Sequence, residues 1–369
     1  MSDLRFYAPG FEIRVKGERL AERGFIVNQV TVEQATEAAA RATFSVFRAG
    51  TEQSLSAWLK QGLSFFKLGV PVEIRAGYGG ERRLIFKGCL TSFSYTFAVD
   101  AIGEIQVEAQ DFLFLLMKSR ALAQKQGGFN QVYDHEVVRR VLSHYPAFEE
   151  VYIEETPIRY PKVQQKDEES DYQFLRRLAE RNNYLLYARV DQEREKAVFC
   201  FKKPQDKPTP KQGQHELYFG RELRSFTPNF SLTQVITRVV VRGWDPKQKK
   251  EIEGQAELSA KDQERFEKTG FPSPITLELH LPVRTREEAQ KQAEAICQKY
   301  RRLLEAEAEA LGLPEIQAGD LVEIKGLPQC QGPADLDLCR GYLAVQATHQ
   351  IGEGGYRLRL KLKEVVSYP

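Results

Sequence analysis

The segment Gly69-Val70-Pro71-Val72-Glu73-Ile74-Arg75 returns near the C-terminus as Gly319-Asp320-Leu321-Val322-Glu323-Ile324-Lys325, keeping the glycine, the Val-Glu-Ile core and a terminal cation. Alternation at period two marks both as half-buried β-strands, with Val72, Ile74, Val322 and Ile324 turned inward. Two further landmarks follow each copy. Lys87-Gly88-Cys89-Leu90 matches Arg340-Gly341-Tyr342-Leu343, and Gly103 and Gly355 each precede another alternating strand. Glycine-bounded Val/Ile strands are common in any sheet, so one match alone would carry nothing. Three in the same order and at nearly the same spacing read as a duplication. The expected product is two related small antiparallel β-units, one at each end of the chain. Two like units per subunit would let a trimer present six similar docking faces, as an adaptor between six-fold and three-fold objects requires.

Around the first copy, Thr43 to Phe47 is expected to be a strand and 54–66 a helix with Leu55, Trp58, Leu59 and Leu63 on one face. Strands follow at Val70–Ala76, Arg83–Phe97 and Glu104–Gln110, with Gly77 to Gly80 as a hairpin turn. After Asp111 the pattern turns helical. Asp134 is expected to cap a helix carrying Val137, Val138, Val141 and Leu142. Ser170-Asp171-Tyr172-Gln173 is a capping box, and Phe174, Leu175 and Leu178 give its helix a buried stripe. Strands follow at Tyr184–Val190 and Ala197–Lys202. Lys203 to Gln214 reads as a linker from its prolines and lysines. Strands resume at Ser225 and run through Val241. Pro246 to Lys268 is expected to be an exposed polar insertion, and Thr285 to Leu311 one long amphipathic helix opened by a second capping box.

The bulk numbers narrow the function. Formal charge is +2, from 53 basic and 51 acidic residues, which disfavours a protein built to grip nucleic acid. With 42% hydrophobic residues the chain can bury substantial cores. The N-terminus shows no charged-then-apolar leader, and the longest apolar run, Phe112 to Met117, is far short of a membrane span. Five cysteines, an odd number and scattered, are expected to be reduced thiols of a protein assembled in the cytosol.

Catalytic and metal motifs are sought and not met. His135-Glu136 opens like a zinc-protease motif, but Arg139 stands where the second ligand is needed. Cys330 and Cys339 have no CxxC partner and only His349 nearby, too few for a closed zinc site. Gly77-Tyr78-Gly79-Gly80 departs from GxGxxG, and no Walker or GxSxG sequence occurs. No catalytic, cofactor-binding or metal residue is therefore assigned, and no cofactor is expected.

From Gln165 to Glu180 the sequence reads QKDEESDYQFLRRLAE. This resembles the "Q…ESD…FL.RLAE" segment of the phage late control gene D family, shared with the hub portion of type VI secretion VgrG proteins. Ala318 to Gly326, Gly341-Tyr342 and Ala347-Thr348-His349 resemble that family's closing "aGD.VeikG…G.Y.v…tH", and Glu287-Glu288-Ala289 sits where it has an "EA…A" helix. The resemblance covers most of the chain. It implies an α+β, mainly β fold: two related small antiparallel β-barrel domains plus α/β segments, assembling as a trimer with a pseudo-six-fold barrel ring. On that basis 1–111 is the first barrel and 112–206 an α/β domain. Residues 207–245 with 312–369 form the second barrel, and 246–311 an inserted loop and helix. The implied function is a non-catalytic baseplate hub of a contractile phage tail or tail-like injection system. Its partners would be two further copies of itself, the tail tube ring, a spike and other baseplate proteins, without nucleic acid or a membrane anchor. The chain ends at Pro369 without the OB-fold and β-helix of a full VgrG, so the spike is expected as a separate chain. The rival readings are a tail-associated peptidoglycan hydrolase and a peripheral receptor-binding β-protein.

Overall fold

The computed structural model describes residues 8–48, 54–95, 103–120, 128–204, 213–233, 235–245, 248–270, 274–333 and 336–365. Strands hold 49% of the described residues and helices 19%, so the fold is mainly β. The N-terminal part runs β1 (Pro9–Val15), β2 (Glu18–Arg19), β3 (Phe25–Ala35), β4 (Arg41–Arg48), α1 (Leu55–Phe65), β5 (Pro71–Tyr78), β6 (Glu81–Tyr95) and β7 (Glu104–Gln110). Gly79 and Gly80, both at positive φ, close the two-residue turn from β5 to β6. Ser54 caps α1 by accepting from the Ala57 N–H.

The middle part carries α2 (Leu113–Lys118), β8 (Phe129–Tyr133), α3 (Asp134–Leu142), β9 (Glu150–Ile153), β10 (Arg159–Val163), α4 (Asp171–Arg181), β11 (Leu185–Asp191) and β12 (Lys196–Lys202). The last part runs β13 (Gln214–Tyr218), β14 (Leu223–Phe230), β15 (Arg238–Asp245), β16 (Lys250–Glu257), α5 (Ala260–Glu267), β17 (Thr276–His280), α6 (Arg286–Lys299), β18 (Leu304–Leu311), β19 (Leu321–Lys325), β20 (Gly341–Gly352) and β21 (Gly355–Glu364).

Six strands at each end have one topology. Neighbours run β3-β4-β7-β6-β5-β1 in the first unit and β14-β18-β21-β20-β19-β13 in the second. In chain order both are the second, third, sixth, fifth, fourth and first strands of their unit. The ladders agree rung by rung. Pro71 pairs with Cys89 as Leu321 pairs with Leu343. A bulge after the Leu90–Ala109 rung recurs after Ala344–Leu362. A second bulge, between Val27 and Val30, recurs between Leu223 and Ser225. One relation differs: β1 is antiparallel to β5, whereas β13 is parallel to β19. The units also fuse, because β3 pairs with β20 over seven rungs from Ala35–Gln346 to Gln29–Gly352.

This register corrects one landmark of the duplication. Gly88 occupies the place of Tyr342, not Gly341, since Cys89 and Leu343 hold the same rung. A Cβ at Gly88 would lie 2.1 Å from the Gln110 carbonyl oxygen, whereas a Cβ at Gly341 meets nothing.

Four cores result. One fills the first unit around Val72, Ile74 and Phe86, and another the second unit around Val322, Ile324 and Leu360. The middle part packs α4 on β11 and α3 against β8, β9 and β10 around Phe174, Leu178 and Phe199. The fourth, around Val239, Ile252 and Ala293, holds β15 between β16 and β17 beneath α6.

Several local expectations need correction. The helix expected over Thr285–Leu311 stops at Lys299, and β18 follows. Leu304-Glu-Ala-Glu-Ala-Glu-Ala-Leu311 is built of helix formers but alternates at period two. Burying Ala306, Ala308 and Ala310 while Glu305, Glu307 and Glu309 face Lys363, Lys361 and Arg359 on β21 outweighs the weak helix preference. The stretch expected as an exposed insertion holds β16 and α5, with Ile252, Leu258 and Phe266 buried; Pro246 lies outside the described residues. β15, expected in the second barrel, pairs with β16 and β17 and not with any strand of that barrel among the described residues. Asp134 does not cap α3: Tyr133 holds that position, and the Glu136 side chain accepts from its N–H. Cys330 and Cys339 form a disulfide with Cα atoms 5.1 Å apart, contrary to the expectation of five thiols; Cys89, Cys200 and Cys297 are free and buried. Phe97 and most of the Lys203–Gln214 linker lie outside the described residues.

Candidate functional site

Gly319 and Asp320 form the turn into β19, and around them the three parts of the chain lock together. Asp320 is fully buried. Its Oδ1 accepts from the Gly213 N–H and from Arg189 on β11, both at 2.8 Å. Its Oδ2 accepts from the Gln317 N–H at 2.8 Å, with His215 Nε2 3.4 Å away. Burial alone would raise this carboxyl. The Arg189 guanidinium, His215 and the Gln317 N–H outweigh it and hold the group down at about 2. The same contact keeps the buried Arg189 charged.

Gln317 binds the backbone of Val190 in both directions, each bond 3.0 Å. From the first unit, Gln34 on β3 donates to the Ile85 carbonyl at 2.7 Å and accepts from the Ala318 N–H at 3.1 Å. A short segment of the second unit is thus gripped at once by the first unit and the middle part. Breaking such a buried charge pair by removing one partner costs about 3–5 kcal/mol.

Helix α4 is a second brace. Ser170 Oγ accepts from the Gln173 N–H at 3.2 Å, and the Gln173 side chain accepts from the Ser170 N–H at 2.8 Å. Asp171, also fully buried, accepts from the Tyr145 hydroxyl at 2.5 Å and from Gln165 at 2.9 Å. At the far end Arg181 and Asn182 both donate to the buried Asp134, and Arg181 stacks 3.8 Å over the Tyr160 ring. The Tyr172 hydroxyl donates to the Glu37 carbonyl at 2.7 Å, tying the helix to the β3–β4 turn.

A third buried polar group joins the units where β3 and β20 pair. His349, opposite Val32, has Nδ1 2.8 Å from the Tyr356 hydroxyl, and Tyr356 stacks on Tyr78 of β5 at 5.9 Å. Burial pulls the imidazole down to about 4, so it is neutral near pH 7.

The residues singled out in the sequence divide among these places. Val72 and Ile74 lie in the first core, Val322 and Ile324 in the second unit's core, and Phe174, Leu175 and Leu178 in the middle core. Gly319 alone sits in the joint. Gly69, at φ +81°, holds the equivalent turn of the first unit, which has no carboxylate there: Val70 stands in the place of Asp320. Arg189, Gln317 and Gln34 escaped the sequence reading. The signal for Arg189 was a lone cation in the apolar run Leu185–Val190. Gln34 and Gln317 left none.

What the arrangement does chemically is hold. Among the described residues no group of three or more His, Cys, Asp or Glu side chains could hold a metal ion. His135 Nδ1 accepts from the Thr156 N–H at 2.9 Å. A cleft of about 470 Å³ lies between α4 and β14, lined by Tyr172, Arg176, Asn229, Ser231, Lys299 and Tyr300.

Comparison with solved structures gives the class of fold. The 43 kDa tail protein of prophage MuSo2 from Shewanella oneidensis superposes with a TM-score of 0.67 at 14% identity, covering 96% of this chain and 98% of that one. A tail protein from Neisseria meningitidis MC58 gives 0.66 at 12% identity, covering 97% of each. An E. coli component of the type VI secretion system, described as similar to the T4 bacteriophage tail proteins gp27 and gp5, gives 0.58 at 11% identity over 97% of this chain and 77% of that one. The chain therefore has a fold found in phage tail and type VI secretion proteins. By sequence it belongs to the family described as the Alg8 N-terminal domain, which matches residues 8–330 and is not the late control gene D family whose motifs it resembles. No curated protein matches it.

Proposed function

We propose that the chain is a structural baseplate hub of a contractile phage tail or tail-like injection system, joining a hexameric tail tube to a trimeric spike without a catalytic step. The observation that carries this reading is the internal repeat of one six-strand topology, with both bulges kept. Three copies of a chain with two like units supply six like units, the count a six-fold ring needs. The two tail proteins and the type VI secretion component share this fold at low identity, which supports a structural role in a tail. The barrels would be the first unit and β13, β14 and β18–β21, with the middle part and the inserted unit between them. The subunit would assemble in the bacterial cytoplasm and meet other baseplate proteins in the particle.

The buried polar joint suits that role. A subunit that passes contraction force to a tip needs its units to move as one body, and the contacts of Asp320, Gln317 and Gln34 oppose hinging between them.

Light scattering on the purified chain tests the reading, with a mass of three subunits expected. A stable monomer at every concentration contradicts it. A zymogram in which the pure chain clears peptidoglycan would favour a tail-associated hydrolase instead.

A further inference from the structure

Inside the chain the two β-units are joined by one device: β3 of the first pairs with the part of β20 that lies beyond its bulge. The strands equivalent to these are β14 and the part of β6 beyond Leu90. Among the described residues Thr227–Phe230 of β14 pair only with β18, and Ser92–Ser94 of β6 pair only with β7. Each unit thus has the same two connectors, and the chain uses one of each.

We propose that the two unused edges join different copies of this chain, β14 of one subunit pairing antiparallel with Ser92–Ser94 of the next and continuing the sheet from subunit to subunit. The inference rests on the hub reading and deepens it by naming the contact between copies. The internal ladder fixes the register. Gln346–Ala35, Ala347–Gln34 and Thr348–Glu33 translate into Ser92–Ser231, Phe93–Phe230 and Ser94–Asn229 between subunits.

The side chains at those positions fit one another. Phe93 and Phe230 are both half-buried within the chain and would meet as a cross-strand aromatic pair. The flanking rungs set serine against serine and serine against asparagine, and none of the six residues in these three rungs carries a charge to oppose pairing. Asn229 and Ser231 line the cleft beside β14, which leaves room along that edge. Pro228 stands where β3 has Val32 and offers no N–H, so that rung gives one hydrogen bond fewer. A proline on an open edge also blunts indiscriminate strand addition and leaves the side-chain match to select the partner.

The test is disulfide trapping in the full chain carrying Asn229→Cys and Ser94→Cys. Both positions are exposed, so folding is expected to survive, and a non-hydrogen-bonded antiparallel rung brings Cα atoms to about 4.5 Å, within reach of a disulfide. The free native cysteines are buried and the other two already bonded, so the introduced thiols dominate the reaction. Mild oxidation is expected to give a covalent trimer on non-reducing gels, with no trimer from either single variant or from the register-shifted pair Asn229→Cys with Phe93→Cys. A trimer by light scattering that fails to cross-link in the double variant overturns the strand pairing and leaves the hub reading standing. Equal cross-linking of the shifted pair overturns the register. A chain that is monomeric throughout overturns the hub reading as well.

Discussion

Gly69 and Gly319 hold the same position in two equivalent units, and the backbone around them is bonded identically. The Gly69 N–H donates to Leu90 at 2.8 Å and the Gly319 N–H to Ala344 at 2.7 Å; Leu90 and Ala344 each return a bond of 2.9 Å, to Val70 and Asp320. Both glycines have positive φ, +81° and +92°. They differ in surroundings. A Cβ at Gly69 meets nothing within 4 Å, whereas at Gly319 it would lie 2.4 Å from the Tyr187 hydroxyl.

Substituting alanine separates backbone from packing. Gly69→Ala is expected to cost about 1–2 kcal/mol for the left-handed conformation alone. Gly319→Ala is expected to cost about 1–3 kcal/mol more, because Tyr187 must move within a closed interior. Urea unfolding of the two variants measures both, and equal losses would refute the asymmetry.

Asp320 and Arg189 form the buried pair at the joint. Asp320→Ala and Arg189→Leu are each expected to cost about 3–5 kcal/mol, since either leaves a charge buried without its partner. The double variant should lose less than the sum of the two. Strict additivity in the cycle would show that the pair does not couple the units.

His349 makes the β3–β20 seam sensitive to acid. In the folded chain its imidazole is held near 4 by burial, while in the unfolded chain it takes a proton near 6.5. The unfolded state therefore binds more protons between those values, so this contribution is complete above pH 6.5 and is lost as pH falls toward 4. Its size is at most about 3 kcal/mol. Stability of the natural chain and of His349→Phe, measured from pH 7 to pH 4.5, should converge as the pH falls; parallel curves would contradict the assignment. Asp111, which burial raises to about 7, is present in both and cancels in the comparison.

Strand β18 allows a test of pattern against propensity. Ala308→Glu places a carboxylate in the second unit's core and is expected to abolish folding of that unit, whereas Glu307→Ala is expected to change stability by no more than about 0.5 kcal/mol. Circular dichroism with thermal melting distinguishes the two. Similar effects from both would mean that the alternation does not set the face.

The duplicated strands were legible because each copy carries its own glycine and its own Val-Glu-Ile alternation, signals that need no tertiary context. The Ser170 capping box was legible for the same local reason. Leu304–Leu311 misled because its residues favour a helix individually while their alternation favours a strand, and the pairing with β21 that decides between them is distant in sequence. The joint was hardest to see. Arg189 and Asp320 are far apart in the chain, and Gln34 and Gln317 bind backbone groups that any sequence could offer. The off-by-one match of Gly88 to Gly341 arose because the two glycines stand on adjacent rungs, Gly88 opposite Val72 and Gly341 opposite Glu323, a difference that only the strand pairing reveals.

The central claim is a three-fold hub at the junction of tube and spike, and electron cryomicroscopy of the intact particle carrying this chain tests it most directly. The account predicts three copies on the tail axis beneath the last tube ring, their six β-units arranged as one ring. Copies placed at the particle's periphery, or present in a number that is not three on that axis, would contradict it.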